Sequence, residues 1–199
     1  MKTHNLEQGT PEWFAVRKNK MTASHAQAIG SNGKGLDTYI IELMAESNSS
    51  GEKEQFSNKD TDRGNELETL ARSIYELTTG NEVQEVGFIE YDEFIGCSPD
   101  GLVGEDGGIE IKCLNDINHF KMILRGASEI DSKYIWQIQM SLFITGRKWW
   151  DYVSYNPNYK QSLLVYRILP DHAKFEALTA GLLNGKNQMK DIEVKLQQL

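Results

Sequence analysis

Residues 98–113 read SPDGLVGEDGGIEIKC, an aspartate followed by a glycine-rich turn and a strand of alternating charged and apolar residues. The segment GEDGG (104–108) is typical of a hairpin turn between two short strands. Side chains two residues apart in a strand point to the same face, so Glu110 and Lys112 lie side by side, about 6.5–7 Å apart along the strand. The isoleucines and the cysteine of this strand face the other way. The pattern therefore predicts one face for packing and one for chemistry.

Asp100 lies at the far end of the hairpin, where antiparallel pairing would bring its carboxylate opposite Glu110 and Lys112. Two carboxylates and a backbone carbonyl suit Mg²⁺, which completes its shell with water and phosphate oxygens. Such a metal lowers the pKa of an attacking water, and Lys112 would hold that water or take its proton; the sequence leaves both roles open. The cluster indicates phosphodiester hydrolysis. Spacing alone also fits an ion pair on an exposed strand edge, with Asp100 in an ordinary turn.

Helical and strand patterns follow one another along the rest of the chain. Helices are predicted at 11–19, from Thr22–Ser24, at 37–46, 61–79, 116–125 and 131–145, and from about 171. Strands are predicted at 82–91, 94–104, 108–114, 148–156 and 162–169. One apolar stripe of the fourth helix consists of Leu67, Leu70, Ala71, Ile74 and Leu77. The order predicts an α/β fold with a central mixed β-sheet flanked by helices, and a single domain over 1–199.

The composition sets limits on the function. The formal charge of −8 by itself argues against binding nucleic-acid phosphates, but Mg²⁺ bound at an acidic cluster reverses the local field. Two cysteines provide neither a zinc framework nor a disulfide scaffold, and the four histidines lack the spacing of a zinc-based or HNH-type nuclease. The sequence shows no apolar run of membrane-spanning length and no secretory signal, so a cytoplasmic location is expected.

Four segments, in order, resemble one known family. They are WFAVRKNKMTAS (13–24), RGNELETLA (63–71), SPDG with IEIKC (98–101 and 109–113) and YIWQIQMSLFITG (134–146). The string Pro99-Asp100, followed by Glu110-Ile111-Lys112, looks like the signature of the PD-(D/E)xK nuclease superfamily. Together the four segments resemble the phage lambda exonuclease family, also called YqaJ-like viral recombinases. The resemblance implies a restriction-endonuclease-like core.

This resemblance also implies an activity. Members of the family are Mg²⁺-dependent exonucleases, and Mn²⁺ is expected to substitute. They degrade one strand of linear double-stranded DNA from its ends, in the 5′→3′ direction, during phage-type homologous recombination. The implied partners are double-stranded DNA ends, a single-strand annealing protein and two further copies of the chain in a ring-shaped homotrimer, without a membrane. The implied location is the host-cell cytoplasm.

The family pattern assigns a chemical role to several residues. The implied catalytic set is Lys112, Glu110, Asp100 and Gln137, and the implied metal ligands are Asp100, Glu110, the carbonyl of Ile111, and Glu68. Gln137 would orient water or phosphate through its amide, unless it lies on the outer face of its helix. Glu66 competes with Glu68, because both flank the apolar stripe, and the family pattern favours Glu68. Periodicity alone equally fits Glu68 as an exposed i, i+4 partner of Arg72.

A second group of residues is expected to contact DNA. Arg17 matches the arginine that binds the 5′-terminal phosphate, for which a planar guanidinium is well suited. Thr22 and Ser24, at a helix start, would add hydroxyl and backbone N–H donors. Trp13 either stacks on a base or, as its position also suggests, packs at the start of its helix. Lys34, in the loop SNGKG, is expected to contact the duplex.

Two other functions stay open. A related nuclease of the Cas4 or RecB type, acting on single strands, commonly binds an iron–sulfur cluster through four cysteines, and the two cysteines here cannot form one. An endonuclease activity of the same superfamily is part of this alternative. A non-catalytic DNA-binding adaptor of the same fold is the other, and it would usually have lost one of Asp100, Glu110 and Lys112.

Overall fold

The computed structural model describes residues 1–49 and 67–198 in full, and residues 59–66 by their backbone. The strands, in chain order, are β1 (Lys2–His4), β2 (Met21–Thr22), β3 (Val83–Gln84), β4 (Phe88–Asp92), β5 (Ile95–Cys97), β6 (Gly101–Val103), β7 (Gly107–Cys113), β8 (Trp149–Tyr155) and β9 (Leu163–Ile168). The α-helices are α1 (Pro11–Arg17), α2 (Ala26–Ser31), α3 (Lys34–Asn48), α4 (Lys59–Thr79), α5 (Asp116–Arg125), α6 (Ser132–Thr145) and α7 (His172–Leu196). The predicted α/β class is confirmed.

The described strands form two mixed sheets, where the sequence predicted one. The larger has the order β3-β6-β7-β8-β9 and the smaller the order β1-β4-β5-β2. The predicted strands 82–91 and 94–104 each divide in two. The first breaks around Gly87, where any side chain would meet the main chain of Leu6. The second breaks around Pro99, which cannot donate to a ladder. Such breaks depend on which segment lies opposite, so local periodicity does not show them.

The predicted hairpin is confirmed, and it lies inside the larger sheet. β6 and β7 pair antiparallel across the GEDGG turn, from Gly101 opposite Ile109 to Val103 opposite Gly107. On its other edge β7 pairs in parallel with β8, through a crossover that contains α5 and α6. Glu110 is fully buried, so the alternative of an exposed strand edge is wrong, although the ion pair between Glu110 and Lys112 that this alternative also contained does form.

The two faces of β7 differ as the alternation predicts. Ile109 and Ile111 pack with Ala71 and Tyr75 of α4 in one buried cluster. Glu110 points to the opposite face, which α6 covers. The larger sheet is therefore packed between α4 and α6, and these two helices supply the side chains that meet the hairpin.

Helix starts and stops follow the predicted capping residues. Thr10 accepts a hydrogen bond from the backbone N–H of Trp13, and the proline after it opens α1. Asp131 caps α6, and Gly146 ends it in a left-handed conformation with φ 66°. These local signals mark where two site-bearing helices begin and where α6 ends.

Other sequence predictions need correction. On α4, Ala71 of the predicted stripe is buried as expected, but Leu70 and Leu77 are exposed. Tyr75, which the stripe left out, is buried, because the sheet lies against that side. Lys34 is the first residue of α3, whereas the sequence placed it in a loop. Strand β1 was not predicted, since its three polar residues become a strand only by pairing with β4. None of the described helices has the length and apolar character needed to cross a membrane.

Candidate functional site

The hairpin brings Asp100, Glu110 and Lys112 together, as predicted. Asp100 Oδ2 accepts a hydrogen bond from the main-chain N–H of Ile111 at 2.6 Å. Lys112 Nζ lies 2.6 Å from Glu110 Oε1. Burial alone would lower the pKa of Lys112, but the nearby charges of Glu110 and Asp100 outweigh it and raise the pKa above its ordinary value. In this arrangement Lys112 is therefore an ammonium.

Glu110 is the most enclosed acid of the cluster. Its residue is 0% exposed, and Gln137 of α6 donates from Nε2 to Glu110 Oε1 at 2.6 Å. The outer-face alternative for Gln137 is therefore wrong. Burial, followed by the charge of Asp100, raises the pKa of Glu110 to about 8. Its other oxygen, Oε2, is buried without a hydrogen-bond partner among the described residues. A buried carboxylate oxygen is costly to stability unless it has a partner, so Oε2 suits the role of a metal ligand.

Glu68 reaches the same region from α4. It lines a cleft of about 700 Å³ together with Asp100, Arg72 and Trp13. Burial, and then the charge of Asp100, raises the pKa of Glu68 to about 7. Arg72 NH2 lies 3.1 Å from Glu68 Oε1, so the i, i+4 pairing exists as well. Glu68 therefore does both things that the sequence left open: it faces the acidic cluster, and it also pairs with Arg72. The side chain of Glu66, its competitor, lies outside the described residues.

These oxygens fit a hard divalent cation. Asp100 raises the pKa of both Glu110 and Glu68, so three carboxylates are close enough to repel one another. No three His, Cys, Asp or Glu side chains in the described part of the chain form a ready-made metal cage. Mg²⁺ does not need one, because it binds through one or two carboxylates and keeps several waters. The partnerless Glu110 Oε2 and the all-oxygen donor set are what such an ion requires.

Arg17 lies in a second cleft, of about 570 Å³, which shares the wall formed by Trp13 with the first. The Arg17 guanidinium lies 4.0 Å from the centre of a Trp13 ring. Its NH1 donates to Ser98 Oγ at 2.7 Å, and Trp13 Nε1 donates to the same oxygen at 3.1 Å. Trp13 is therefore held as a wall between the clefts, and its indole N–H is used within the protein.

Ser98 was not predicted as a site residue. Its hydroxyl accepts from both Arg17 and Trp13, so its own proton is left to donate. Because Ser98 lies two residues before Asp100, it joins the Arg17 cleft to the acidic cluster. Its place within the SPDG motif was the signal available in the sequence.

The other residues that were expected to contact DNA, apart from Arg17 and Trp13, are less well placed for that contact. Thr22 lines the Arg17 cleft, but its backbone N–H, expected to be a free donor, donates to the hydroxyl of Tyr39. Ser24 is exposed and pairs with Thr22 at 3.2 Å between their hydroxyl oxygens. Lys34 lines neither of the two clefts. His25, for which no role was predicted, lines the Arg17 cleft, and its ring stacks on that of Tyr39 with 3.9 Å between the ring centres.

The fold and this site define a protein of the PD-(D/E)xK type, with two acids and a lysine on a hairpin. The chain belongs to the family of the YqaJ-like viral recombinase domain, whose model matches residues 12–148. The site residues from Trp13 to Gln137 lie within this match.

Solved structures support the same assignment. An alkaline exonuclease, LHK-Exo, from Laribacter hongkongensis is 34% identical, with a TM-score of 0.81, over 95% of this chain and 99% of that one. The same values apply to LHK-Exo in complex with dAMP. A phage-related exonuclease from Haemophilus somnus 129PT is 18% identical, with a TM-score of 0.73, over 89% of this chain and 96% of that one, and shows the shared fold. Comparison with curated proteins gives no significant match.

Proposed function

We propose that the chain is a Mg²⁺-dependent exonuclease that degrades one strand of linear double-stranded DNA from its ends in the 5′→3′ direction. The observation that carries this proposal is the pair of adjoining clefts. One is lined by Glu68 and Asp100 of the acidic cluster, and the other contains a half-buried arginine beside a serine hydroxyl. A strand end that places its terminal phosphate on Arg17 would lay a following phosphodiester near Asp100.

The relatives support a nuclease. The family is one of viral recombinases, and both named relatives are exonucleases. One of them has been solved in complex with dAMP, a nucleoside monophosphate, which is the class of product that an exonuclease releases from DNA. We therefore place this chain in phage-type recombination, where a 3′ single strand left by its action would pass to a single-strand annealing protein.

The residues of the hairpin would share the chemistry. Asp100, Glu110, the carbonyl of Ile111, and Glu68 would hold Mg²⁺, with Mn²⁺ as a substitute. When bound, the ion lowers the pKa of water and neutralises charge on the reacting phosphate. Gln137 holds the carboxylate of Glu110 in place, which makes it a positioning residue.

Lys112 would add positive charge beside the reacting phosphate and hold the attacking water. Its raised pKa favours the charged form, so electrostatic stabilisation is its first role. The bond between phosphorus and the 3′ oxygen of the departing nucleotide breaks as water adds to phosphorus. The water gives up a proton to solvent or to a neighbouring basic side chain, and the departing 3′ oxygen takes up a proton from solvent.

Arg17 and Ser98 would set the direction of degradation. The guanidinium can bind two oxygens of a terminal phosphate, and the Ser98 hydroxyl retains a proton to donate. A 3′ end carries a neutral hydroxyl there, which offers these donors one oxygen and no negative charge. We further propose that residues 1–199 act as one nuclease domain, in a homotrimer within the host-cell cytoplasm; a ring around duplex DNA would tolerate the acidic net charge on its outer surface.

One assay tests this function. Linear duplex DNA labelled at either the 5′ or the 3′ end, with and without a 5′-phosphate, is digested in Mg²⁺ and again after chelation with EDTA. We expect Mg²⁺-dependent release of 5′ nucleotides, preference for the phosphorylated end, loss of activity in Lys112→Ala, and loss of the end preference in Arg17→Ala. Arg125→Ala, an exposed arginine on α5, is the matched control. Undiminished digestion in EDTA, or by Lys112→Ala, would refute the mechanism.

A further inference from the structure

Arg72 of α4 is a largely buried cation in the wall of the cleft that Glu68 and Asp100 also line. Its side chain is 12% exposed and lies between two carboxylates of different character. Glu68, at 3.1 Å from NH2, belongs to the acidic cluster. Glu85, at 2.6 Å from NH1, is 72% exposed and lines the outer part of the same cleft.

The contact with Glu85 is the kind that a DNA phosphate can replace. An exposed carboxylate gains little from an ion pair, because water solvates it almost as well. A phosphate offers more oxygens to a guanidinium and can bind it bidentately.

A buried structural arginine would look different. Arg167, although its own side chain is 50% exposed, donates through Nε and NH2 to both oxygens of Asp151, a carboxylate that is 2% exposed, and no exposed acid is involved. Arg72 instead pairs with a surface carboxylate at the mouth of a cleft that also contains Asp100 and Trp13. Arg72 is therefore placed like a ligand-binding side chain, with Glu85 in the position that a ligand would take.

We propose that Arg72 is a phosphate-binding residue for the DNA strand in this cleft, and that Glu85 occupies its guanidinium until a backbone phosphate displaces it. The proposal rests on the proposed function only in taking DNA as the substrate. Arg17 takes no part in this contact, whereas Glu68, one of the proposed metal ligands, stays paired with NH2 of Arg72. Glu85 thus acts as an internal competitor that weakens binding of DNA.

The test measures binding rather than cleavage. Fluorescence anisotropy with a 5′-phosphorylated duplex in EDTA gives the dissociation constant without digestion. We expect Glu85→Gln to tighten binding about two- to fivefold, because only a weak exposed pair is removed. Arg72→Gln should weaken binding and lower the slope of log K against log salt concentration by about 0.9, the value for one phosphate contact on duplex DNA. Glu85→Gln should leave that slope unchanged.

The double variant identifies the cause. If Glu85 competes for Arg72, Glu85→Gln has no effect in the Arg72→Gln background; if it merely repels DNA at a distance, the two effects add. Glu7→Gln removes the same charge from the same cleft and is the matched control. We expect it to change affinity less than Glu85→Gln.

Additive effects, an unchanged salt slope in Arg72→Gln, or an equal gain from Glu7→Gln would each overturn the proposal. The experiment does not depend on Arg72→Gln alone, since Glu85 is exposed and its variant should fold normally. Wild-type protein that cleaves DNA but shows no coupling between positions 72 and 85 refutes only this inference. Wild-type protein that neither binds nor cleaves DNA refutes the proposed function.

Discussion

A buried polar chain joins α4 to the larger sheet, and removing one hydroxyl from it should destabilise the protein. The Tyr75 hydroxyl donates to Asp151 Oδ2 at 2.8 Å and accepts from Asn81 Nδ2 at 3.1 Å. Asp151, on β8, also accepts from Arg167 at two atoms, both at 2.9 Å. The change Tyr75→Phe removes one hydrogen bond to a buried carboxylate and leaves the Arg167 pair in place.

The size of the expected loss of stability in Tyr75→Phe follows from the charge of the acceptor, Asp151. A hydrogen bond to a charged group contributes about 1.5–3 kcal/mol to stability, and the phenyl ring keeps the packing of the buried tyrosine. For a chain of this size that corresponds to a decrease in melting temperature of roughly 3–12 °C. Tyr159→Phe is the control, because that hydroxyl donates to a neutral carbonyl at an exposed site and should contribute less than about 1 kcal/mol.

The same variant has a pH signature. Burial, and then the hydrogen bond with Asp151, raises the pKa of Tyr75 to about 12, whereas an unfolded tyrosine has an ordinary value of 10.0. A raised pKa means that the folded state holds the proton more tightly. Its contribution to stability is complete below pH 10 and is lost as the pH rises through 12. The stability difference between wild type and Tyr75→Phe should therefore shrink across this range. Urea unfolding at pH 8 and pH 11 measures it, and a melting temperature for Tyr75→Phe within 1 °C of wild type at neutral pH would refute the reasoning.

Three further predictions concern the scaffold. Gly181→Ala should destabilise the protein by about 1–3 kcal/mol, because a Cβ there would meet the main chain of Ile29. Gly35→Ala should not, because its Cβ would make only an ordinary contact with Ala28; the melting temperatures of the two variants test the difference. Arg147→Ala should lower the midpoint of urea unfolding and reduce stability by about 1–3 kcal/mol, because NH1 donates to the carbonyls of residues 104 and 107 in the hairpin turn. Lys148→Ala removes an exposed neighbouring side chain and should change the midpoint little. Equal effects of the two changes would contradict this role of Arg147. Burial raises the pKa of Cys97 to about 12, so an alkylating reagent at pH 8 should leave this thiol unmodified in the native protein, as mass spectrometry can check.

The hairpin and the helix ends were readable from the sequence because local chemistry fixes them. Alternation in IEIKC assigned Glu110 and Ile111 to opposite faces, and the glycine-rich turn set the register that brings Asp100 beside them. Asp131 and Gly146 marked the ends of α6. In each case the signal and the structure lie within a few residues of each other.

The division of the strands into two sheets was not readable in this way. β1 and β4 pair across more than eighty residues of chain, and β1 has no pattern of its own. The buried side of α4 was predicted only in part: Ala71 is buried, but Leu70 and Leu77 were counted although they are exposed, and the buried Tyr75 was left out. Burial depends on what lies opposite, and a single helix does not specify that.

The sequence by itself determined which atoms are available for chemistry: an acid, a second acid and a lysine at the spacing of one strand face, with an arginine near the start of the chain. Only the tertiary structure determined their surroundings. Contact across the fold gave Glu110 its amide partner from α6 and left one of its oxygens without a partner. It also brought Ser98 to Arg17 and Glu85 to Arg72. The reason is physical: alternation along a strand acts between neighbours in the chain, whereas burial and ion pairing act between neighbours in space.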